Sequence, residues 1–305
     1  MTQSLPYSNA ICYSGFRDGQ APGAAIPSYE EIKEDLLILQ PHWSSLRLYD
    51  CDQHAELVLE VIRKEKFSFD VMLGAYIVAE VNNYECPWGG MYTNVVLDAN
   101  KIYNQQRIEK LIQLATEYSD IVTSVSAGNE AIVSWSDHLV NTESLISFVL
   151  QLKSALKQPV TFCENYVPWL NVLKEVGEEL DFISIHTYPV WEYKSMEEAL
   201  SYTIGNYNAV ANAFPNKQIV ITEAGWATNS NGRGIEPHNV SEDLQEVYIS
   251  QLQEWAKAEG VLVYLFEAFD ENWKGSSDPM EPEKHWGLYR TDRTPKLVMR
   301  EKVEV

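Results

Sequence analysis

The sequence predicts a single (β/α)8 barrel, an α/β fold in which eight parallel strands alternate with helices. Short apolar, β-prone runs alternate with amphipathic segments from end to end, and eight such runs can be counted. No linker or shift in composition divides the 305 residues. This alternation is typical of parallel βα units, and α/β barrels of this length often form one domain. We therefore expect residues 1–305 to be one domain.

The first half of the chain supplies four strands and three helices. Apolar runs predict the strands at residues 10–13, 45–49, 70–77 and 121–128. Pro27 and Ser28 favour a helix start, and apolar residues at helical spacing follow them to Gln40. The same spacing predicts helices at residues 57–65 and 105–118.

The second half repeats this rhythm. Strands are predicted at residues 160–163, 182–186, 218–222 and 261–266. Helices are predicted at residues 143–156, 168–176, 196–213 and 241–258, with a weaker one near Leu297. Ser241 is a favoured residue at a helix start, and Gly260 is one at a helix end. Eight strands with their helices complete the predicted barrel.

Polar side chains follow several predicted strands. In a barrel the carboxyl ends of all strands converge on one face, where catalytic residues lie. Glu130 ends strand four and Glu223 ends strand seven, so carboxylates 93 positions apart (223 − 130) can meet there. The other strand-end residues are Arg47, Tyr49 and Asp50 after strand two, Asn129 before Glu130, His186 and Tyr188 after strand six, and residues 267–271 after strand eight.

Two facing carboxylates are the groups that cleave a glycosidic bond, one as acid and one as nucleophile or base. We interpret Glu130 as the general acid/base and Glu223 as the nucleophile. Asn129 is expected to hold a sugar 2-hydroxyl, and Tyr188 is expected to hydrogen-bond Glu223. The alternative for either glutamate alone is an ordinary salt bridge or cap at a strand end.

Further residues are expected to contact the substrate or to support the site. Pyranose rings stack on aromatic planes, and Trp226 and Trp273 each lie beside a candidate site residue. The alternative for each tryptophan is packing in the core. Polar residues expected in this supporting set are Arg47, Tyr49 and His186.

Composition limits the classes of partner. The chain has 44 acidic against 23 basic residues, a formal charge of −21, which argues against nucleic acid and anionic membranes. Four scattered cysteines fit neither a zinc site nor a disulfide framework, and Cys12 and Cys163 are expected to be buried thiols. The histidines show no metal-binding pattern, so we expect no metal or cofactor.

Six segments resemble glycoside hydrolase family 17, the β-1,3-glucanase family of a clan of retaining (β/α)8 enzymes. They are ICYSGFRDGQAP, LRLYD, AGNE, ISIHTYP, ITEAGW and FDENWK, at strands one, two, four, six, seven and eight. The resemblance implies Glu130 as acid/base and Glu223 as nucleophile. It also implies that Glu271 and Lys274 form a charged pair supporting the site. Residues 283–296 resemble the bacterial members of the family.

The resemblance implies a hydrolase of laminarin-type β-1,3-glucan, with endo cleavage favoured over exo cleavage. The loop after strand six departs from plant members of the family, which leaves the length of the cleft open. Alternatives are an exo-β-1,3-glucanase, a β-1,3-glucanosyltransferase and, with less support, an inactive glucan-binding protein. The expected partner is a neutral β-glucan, and the expected state is a monomer.

The start of the chain has neither a basic region nor an apolar one, and no apolar stretch is long enough to span a bilayer. The sequence as written therefore predicts a soluble protein without membrane insertion, cytoplasmic unless a signal preceded residue 1. With such a signal the protein would be secreted or periplasmic.

Overall fold

The computed structural model describes residues 4–303, and within them eight parallel strands form a closed barrel. Each strand pairs with the next, and Ala10 of the first strand lies opposite Tyr264 of the last, which closes the ring. This confirms the predicted (β/α)8 fold. The strands are β1 (Asn9–Cys12), β2 (Ser45–Leu48), β3 (Asp70–Gly74), β4 (Val122–Asn129), β5 (Val160–Asn165), β6 (Phe182–His186), β7 (Gln218–Ala224) and β8 (Val263–Leu265).

The helices form the outer layer around the strands. The side chain of Ser241 accepts a hydrogen bond from the amide of Leu244, and Gly260 ends the same helix at a φ of 67°. Both predicted end signals are thereby confirmed. No helix within residues 4–303 combines the length and apolarity needed to cross a membrane. The helices described are α1 (Tyr29–Leu39), α2 (Gln53–Glu65), α3 (Asn94–Glu117), α4 (Thr142–Ala155), α5 (Tyr166–Trp169), α6 (Lys174–Glu179), α7 (Met196–Ala213), α8 (Glu242–Glu259) and α9 (Leu297–Val303).

Three predicted helices differ from the observed ones by more than two residues. Helix α2 begins at Gln53 rather than at residue 57, because Asp52 caps it by accepting the amide of Ala55. Helix α3 begins eleven residues before the predicted start (105 − 94), because Thr93 caps it by accepting the amide of Val96. The single helix predicted at residues 168–176 is the pair α5 and α6. A turn separates them, in which the amides of Leu170 and Leu173 bond to the carbonyls of Val167 and Pro168.

The barrel interior has its own packed core, separate from the layer between strands and helices. Cys12 and Cys163 are buried there as free thiols, as predicted. The interior core supports the strand ends from below and so limits the movement of the side chains that project from them. Its residues are Ala10, Cys12, Met72, Cys163, Phe182, Val220, Leu262 and Tyr264.

Candidate active site

Glu130 and Glu223 meet at the carboxyl ends of β4 and β7. One carboxylate oxygen of each, together with a ring nitrogen of His186, lie within 4.8 Å of one another. Retaining glycosidases hold their two carboxyl groups about 5–5.5 Å apart, whereas inverting ones need about 6.5–9.5 Å to admit a water. The separation of the two glutamates therefore fits the retaining geometry.

Glu223 is enclosed by hydrogen-bond donors. Arg47 Nη1 lies 2.7 Å from Oε1, and the Tyr188 hydroxyl lies 2.5 Å from Oε2. Burial acts to raise the pKa of Glu223, but the charges of His186 and Arg47 and the hydrogen bond from Tyr188 together hold it below its usual range. Glu223 is therefore ionised at neutral pH and carries a negative charge in a site that excludes most water.

Glu130 leaves the strand by a strained backbone turn. The pairing of β4 with β5 loses its register between Ser126 and Asn129, and Glu130 then adopts the left-handed region at a φ of 46°. Such a conformation costs about 1–3 kcal/mol and persists only where neighbours enforce it. Here the amide of Glu130 donates to the carbonyl of Cys163 at 2.9 Å. The Glu130 side chain is 27% exposed against 7% for Glu223, so it is the more open of the two carboxylates.

His186 links the two carboxylates. Its Nδ1 lies 2.8 Å from Oε1 of Glu130 and 3.3 Å from Oε2 of Glu223, so this nitrogen carries a proton. Its Nε2 lies 3.3 Å from Nη1 of Arg47. Burial acts to lower the pKa of His186, but the charge of Glu223 and the contacts with Cys163 and Glu130 outweigh it and raise the pKa to about 10.

Asn129 and Tyr49 both contact Arg47. Oδ1 of Asn129 accepts a hydrogen bond from Nη2 of Arg47 at 2.5 Å. The Asn129 backbone carbonyl accepts one from Nε2 of His138 at 2.9 Å. The ring of Tyr49 lies 4.4 Å from the Arg47 guanidinium carbon, a cation–π distance. Arg47 is thus the common partner of Tyr49, Asn129 and Glu223.

A second charged group lies after β8. Nζ of Lys274 is 2.5 Å from Oε2 of Glu267 and 3.2 Å from Oε2 of Glu271. The expected pair between Glu271 and Lys274 is therefore present, and Glu267 is the nearer partner. Trp273 donates its indole N–H to Oε2 of Glu271 at 3.0 Å and packs edge-on against Phe16. Trp273 as a residue is 40% exposed, so it is held in place with a surface open to solvent.

Trp226 does not lie at the site, and the prediction that it binds sugar is wrong. Its side chain is wholly buried, packs against Tyr248 and donates to the carbonyl of Asn239 at 3.0 Å. Strand β7 continues to Ala224, and Gly225 lies so close to the carbonyl of Phe266 that a side chain there would clash. The chain is thereby held against β8, and Trp226 packs into the layer between strands and helices.

Sequence reasoning missed two residues beside Glu130. Glu164 lies near the end of β5, which was predicted to stop at residue 163 but continues to Asn165. His138 bonds to the carbonyl of Asn129 from the loop after β4. A polar residue at a strand end is the signal used for the other site residues, and a longer fifth strand would have included Glu164.

The side chains of Glu130, His186 and Glu223 are also close enough together to ligate a metal ion. However, Arg47 already brings a positive charge within 2.7 Å of Glu223, and the Nδ1 proton of His186 is directed at both carboxylates. A divalent cation would have to displace both partners. The donor set is therefore better explained as a hydrogen-bond network around two carboxylates.

Comparison with known families gives one match, which covers about two-thirds of the chain. The family model of the BtgE/BtgC glycoside hydrolase domain matches residues 88–287. A putative glucan endo-1,3-beta-glucosidase btgC of Aspergillus niger is 26% identical over 295 residues, covering 88% of this chain and 40% of that protein. The chain thus spans only about two-fifths of the length of this relative.

Solved structures share the whole fold. An endo-laminarinase from Formosa Hel1_33_131 matches with a TM-score of 0.84 and 27% identity, covering 97% of this chain and 86% of that one. A glycoside hydrolase family 17 beta-1,3-glucanosyltransferase from Rhizomucor miehei has the same fold, with a TM-score of 0.73, 20% identity and coverage of 95% and 96%. The glycoside hydrolase resemblance predicted from the sequence is thereby confirmed.

Proposed function

This chain belongs to the BtgE/BtgC glycoside hydrolase family, and from that premise we propose that it hydrolyses β-1,3-linked glucan with retention of configuration. The observation that carries the proposal is the approach of one oxygen of Glu130 to one of Glu223 within 4.8 Å. That distance suits a nucleophile and an acid/base acting on the same anomeric carbon.

The proposed reaction has two steps. In the first, the ionised carboxylate of Glu223 bonds to the anomeric carbon while the glycosidic C–O bond breaks. Glu130 gives its proton to the departing oxygen. In the second, Glu130 takes a proton from water, whose oxygen attacks the anomeric carbon and releases Glu223.

The surrounding residues are proposed to prepare the nucleophile and to hold the sugar. Arg47 and Tyr188 keep Glu223 ionised and oriented through the bonds described above. Asn129 uses its Oδ1 for Arg47, and within residues 4–303 no partner takes its Nδ2 protons. These protons are suited to the sugar 2-hydroxyl. The open ring of Trp273 is suited to stacking on a pyranose.

The proposed substrate is a neutral laminarin-type β-glucan that is cut within the chain. The Aspergillus relative is named a putative glucan endo-1,3-beta-glucosidase, and the Formosa structure is an endo-laminarinase. A net charge of −21 disfavours anionic polymers and suits an uncharged one. Both glutamates lie on one barrel, so we also propose a single catalytic domain that acts as a monomer.

Transfer to a second sugar is the main alternative. The glycosyl intermediate on Glu223 would be the same, and an acceptor hydroxyl would replace water in the second step. The Rhizomucor structure, a glucanosyltransferase, has this fold. Exo cleavage is the other alternative, because it needs the same two carboxylates and differs in how the cleft is closed.

Incubation with unbranched β-1,3-glucan tests the proposal. We expect mixed oligosaccharides to be released early, with reducing ends in the β configuration. Proton NMR monitors this configuration. Products of initial α configuration would refute the retaining mechanism. Release of a single sugar would favour the exo alternative, and products longer than the substrate would favour transfer. Absence of new reducing ends would reject the proposed hydrolysis.

A further inference from the structure

A buried carboxyl that the proposed reaction does not use lies beside Glu130. Glu164, the fifth residue of β5, has no exposed surface. Its Oε2 accepts the amide proton of Ile132 at 2.9 Å, and its Oε1 accepts that of Asn165 at 2.7 Å. Because Ile132 is two residues beyond Glu130, this carboxyl holds the backbone segment that carries Glu130.

A second bond from the same strand holds Glu130 from its other side. The carbonyl of Cys163 accepts the amide proton of Glu130 at 2.9 Å. Two consecutive residues of β5, Cys163 and Glu164, therefore enclose the left-handed turn at Glu130. A strained backbone of this kind keeps its geometry only when the surrounding contacts enforce it.

Two charged side chains face Glu164 through this packing: Glu130 from the end of β4 and His186 from the end of β6. Burial and the negative charge of Glu130 raise the pKa of Glu164 to about 8, against the opposing effect of its two amide donors and of His186. The negative charge of Glu130 opposes the ionisation of Glu164.

We propose that Glu164 is a positioning residue for Glu130, which it serves by anchoring the turn that carries Glu130 and by coupling its own ionisation to that of Glu130. The inference rests on the proposed role of Glu130 as acid/base. Two interacting carboxyl groups lose their protons in two steps, and the apparent pKa of each step is a property of the pair rather than of one residue. Glu164 therefore loses its proton against the negative charge of Glu130, and we expect activity on the alkaline side to decline in two stages.

The pH dependence of kcat/KM separates this role from a purely structural one. The substitution Glu164→Gln keeps the size of the side chain and one amide acceptor but cannot ionise. Below the pKa of His186, which is about 10, we expect two ionisations on the alkaline side for the unmodified protein and one for Glu164→Gln. One ionisation in the unmodified protein, or two in the variant, would overturn the coupling.

Glu80→Gln is the matched control. Glu80 is also buried and also accepts two hydrogen bonds, from Nδ2 of Asn104 at 2.9 Å and from Oγ of Ser144 at 2.5 Å. It lies on the loop after β3, and within residues 4–303 its side chain makes no hydrogen bond or ion pair with a candidate active-site residue. Glu80→Gln is expected to keep both alkaline ionisations, and loss of one would show that any buried carboxyl has this effect.

A titration independent of activity completes the test. Carboxyl carbons labelled with carbon-13 report the midpoint of Glu164 by NMR, which we expect near pH 8. In Glu130→Gln the midpoint should fall by about one unit or more, since coupling of this size defines an interacting pair. An unchanged midpoint would overturn the inference even if the protein cleaves glucan. Failure to cleave glucan would instead reject the proposed function and leave this titration to decide the coupling.

Discussion

The guanidinium of Arg47 lies 2.7 Å from the carboxylate of Glu223, although the residues are 176 positions apart in sequence. Their side chains are only 2% and 7% exposed. Water is largely excluded from this pair. If one partner is removed, water cannot take its place, and the other charge is left buried without compensation. The ion pair therefore ties the stability of the barrel to the charge on the proposed nucleophile.

Removing the cation of this pair should destabilise the fold. Arg47→Ala leaves the carboxylate of Glu223 buried without its closest cation, which costs about 3–5 kcal/mol for pairs of this kind. Chemical denaturation at pH 7 measures the loss. Arg63→Ala is the control, because Arg63 pairs with Asp120 at an exposed site where such bridges contribute about 0–1 kcal/mol. Equal losses for the two variants would contradict the assignment of a buried, interdependent pair.

The same pair predicts how stability changes with pH. The pKa of Glu223 is lower in the folded protein than in the unfolded chain, where glutamate titrates near about 4.3. Its stabilising contribution is therefore present above that value and is lost as pH falls through the folded-state pKa. Chemical denaturation at a series of pH values measures the free energy of unfolding. The difference in this free energy between the unmodified protein and Arg47→Ala should become smaller at acid pH. A constant difference down to the lowest pH would contradict it.

Glu223→Gln should abolish turnover. An amide cannot form the glycosyl ester, so kcat on β-1,3-glucan is expected to fall on the order of 10⁴-fold or more, as for nucleophiles of other enzymes. Circular dichroism should show that the barrel remains folded. Near-normal cleavage by this variant would exclude Glu223 as the nucleophile.

Glu130→Gln should depend on the leaving group. A poor leaving group needs a proton from Glu130, whereas an activated aryl glycoside departs without one. We therefore expect the first step to be strongly slowed on glucan and largely unchanged on the aryl substrate. The burst of released phenol measures this step on the aryl substrate. A similar loss of the first step on both substrates would argue against Glu130 as the acid.

Tyr188→Phe should shift the acid limb of the pH profile of kcat/KM. The Tyr188 hydroxyl donates to Glu223 and helps to lower its pKa, so its removal lets that pKa rise. The limb should move to higher pH by about one unit, the size expected for a hydrogen bond to a charged group. Tyr248→Phe removes a buried hydroxyl whose hydrogen-bond partner within residues 4–303 is Thr203, and it should leave the limb in place. Equal shifts in both variants would refute the specific role of Tyr188.

Trp273 and Trp226 should differ in what their removal changes. Trp273→Ala is expected to weaken oligosaccharide binding up to about tenfold with little loss of stability, because this residue is 40% exposed. Trp226→Ala is expected to destabilise the fold by about 3–5 kcal/mol, since that ring is wholly buried. Calorimetric titration and thermal unfolding measure the two effects. Unchanged binding by Trp273→Ala would remove Trp273 from the proposed sugar site.

Most of the fold was predictable because its signals are local. Strand β6 (Phe182–His186) and helix α7 (Met196–Ala213) have the predicted bounds, since apolar runs and helical spacing are read within each segment. Ser241 and Gly260 marked the ends of α8 for the same reason. The misread segments lack such signals: α3 begins with exposed residues that add no apolar periodicity, and α5 and α6 are too short to show one.

The candidate site was predictable only in part. The strand ends that carry Glu130 and Glu223 could be found by counting strands, because barrel topology brings all such ends to one face. Counting strands could not show that Trp226 is buried whereas Trp273 is partly exposed. Each follows a strand and lies within three residues of a candidate site glutamate, Glu223 or Glu271, yet one lies in the core and the other at the surface.

The sequence by itself determined the alternation of strands and helices, the barrel it builds and the strand ends that bear carboxylates. These properties depend on side chains close together in the chain. The tertiary structure alone decided that Arg47 reaches Glu223, that His186 contacts both glutamates and that Glu164 lies beside Glu130. Burial, charge and hydrogen bonding at these atoms come from residues on different strands, so they exist only once the barrel has closed.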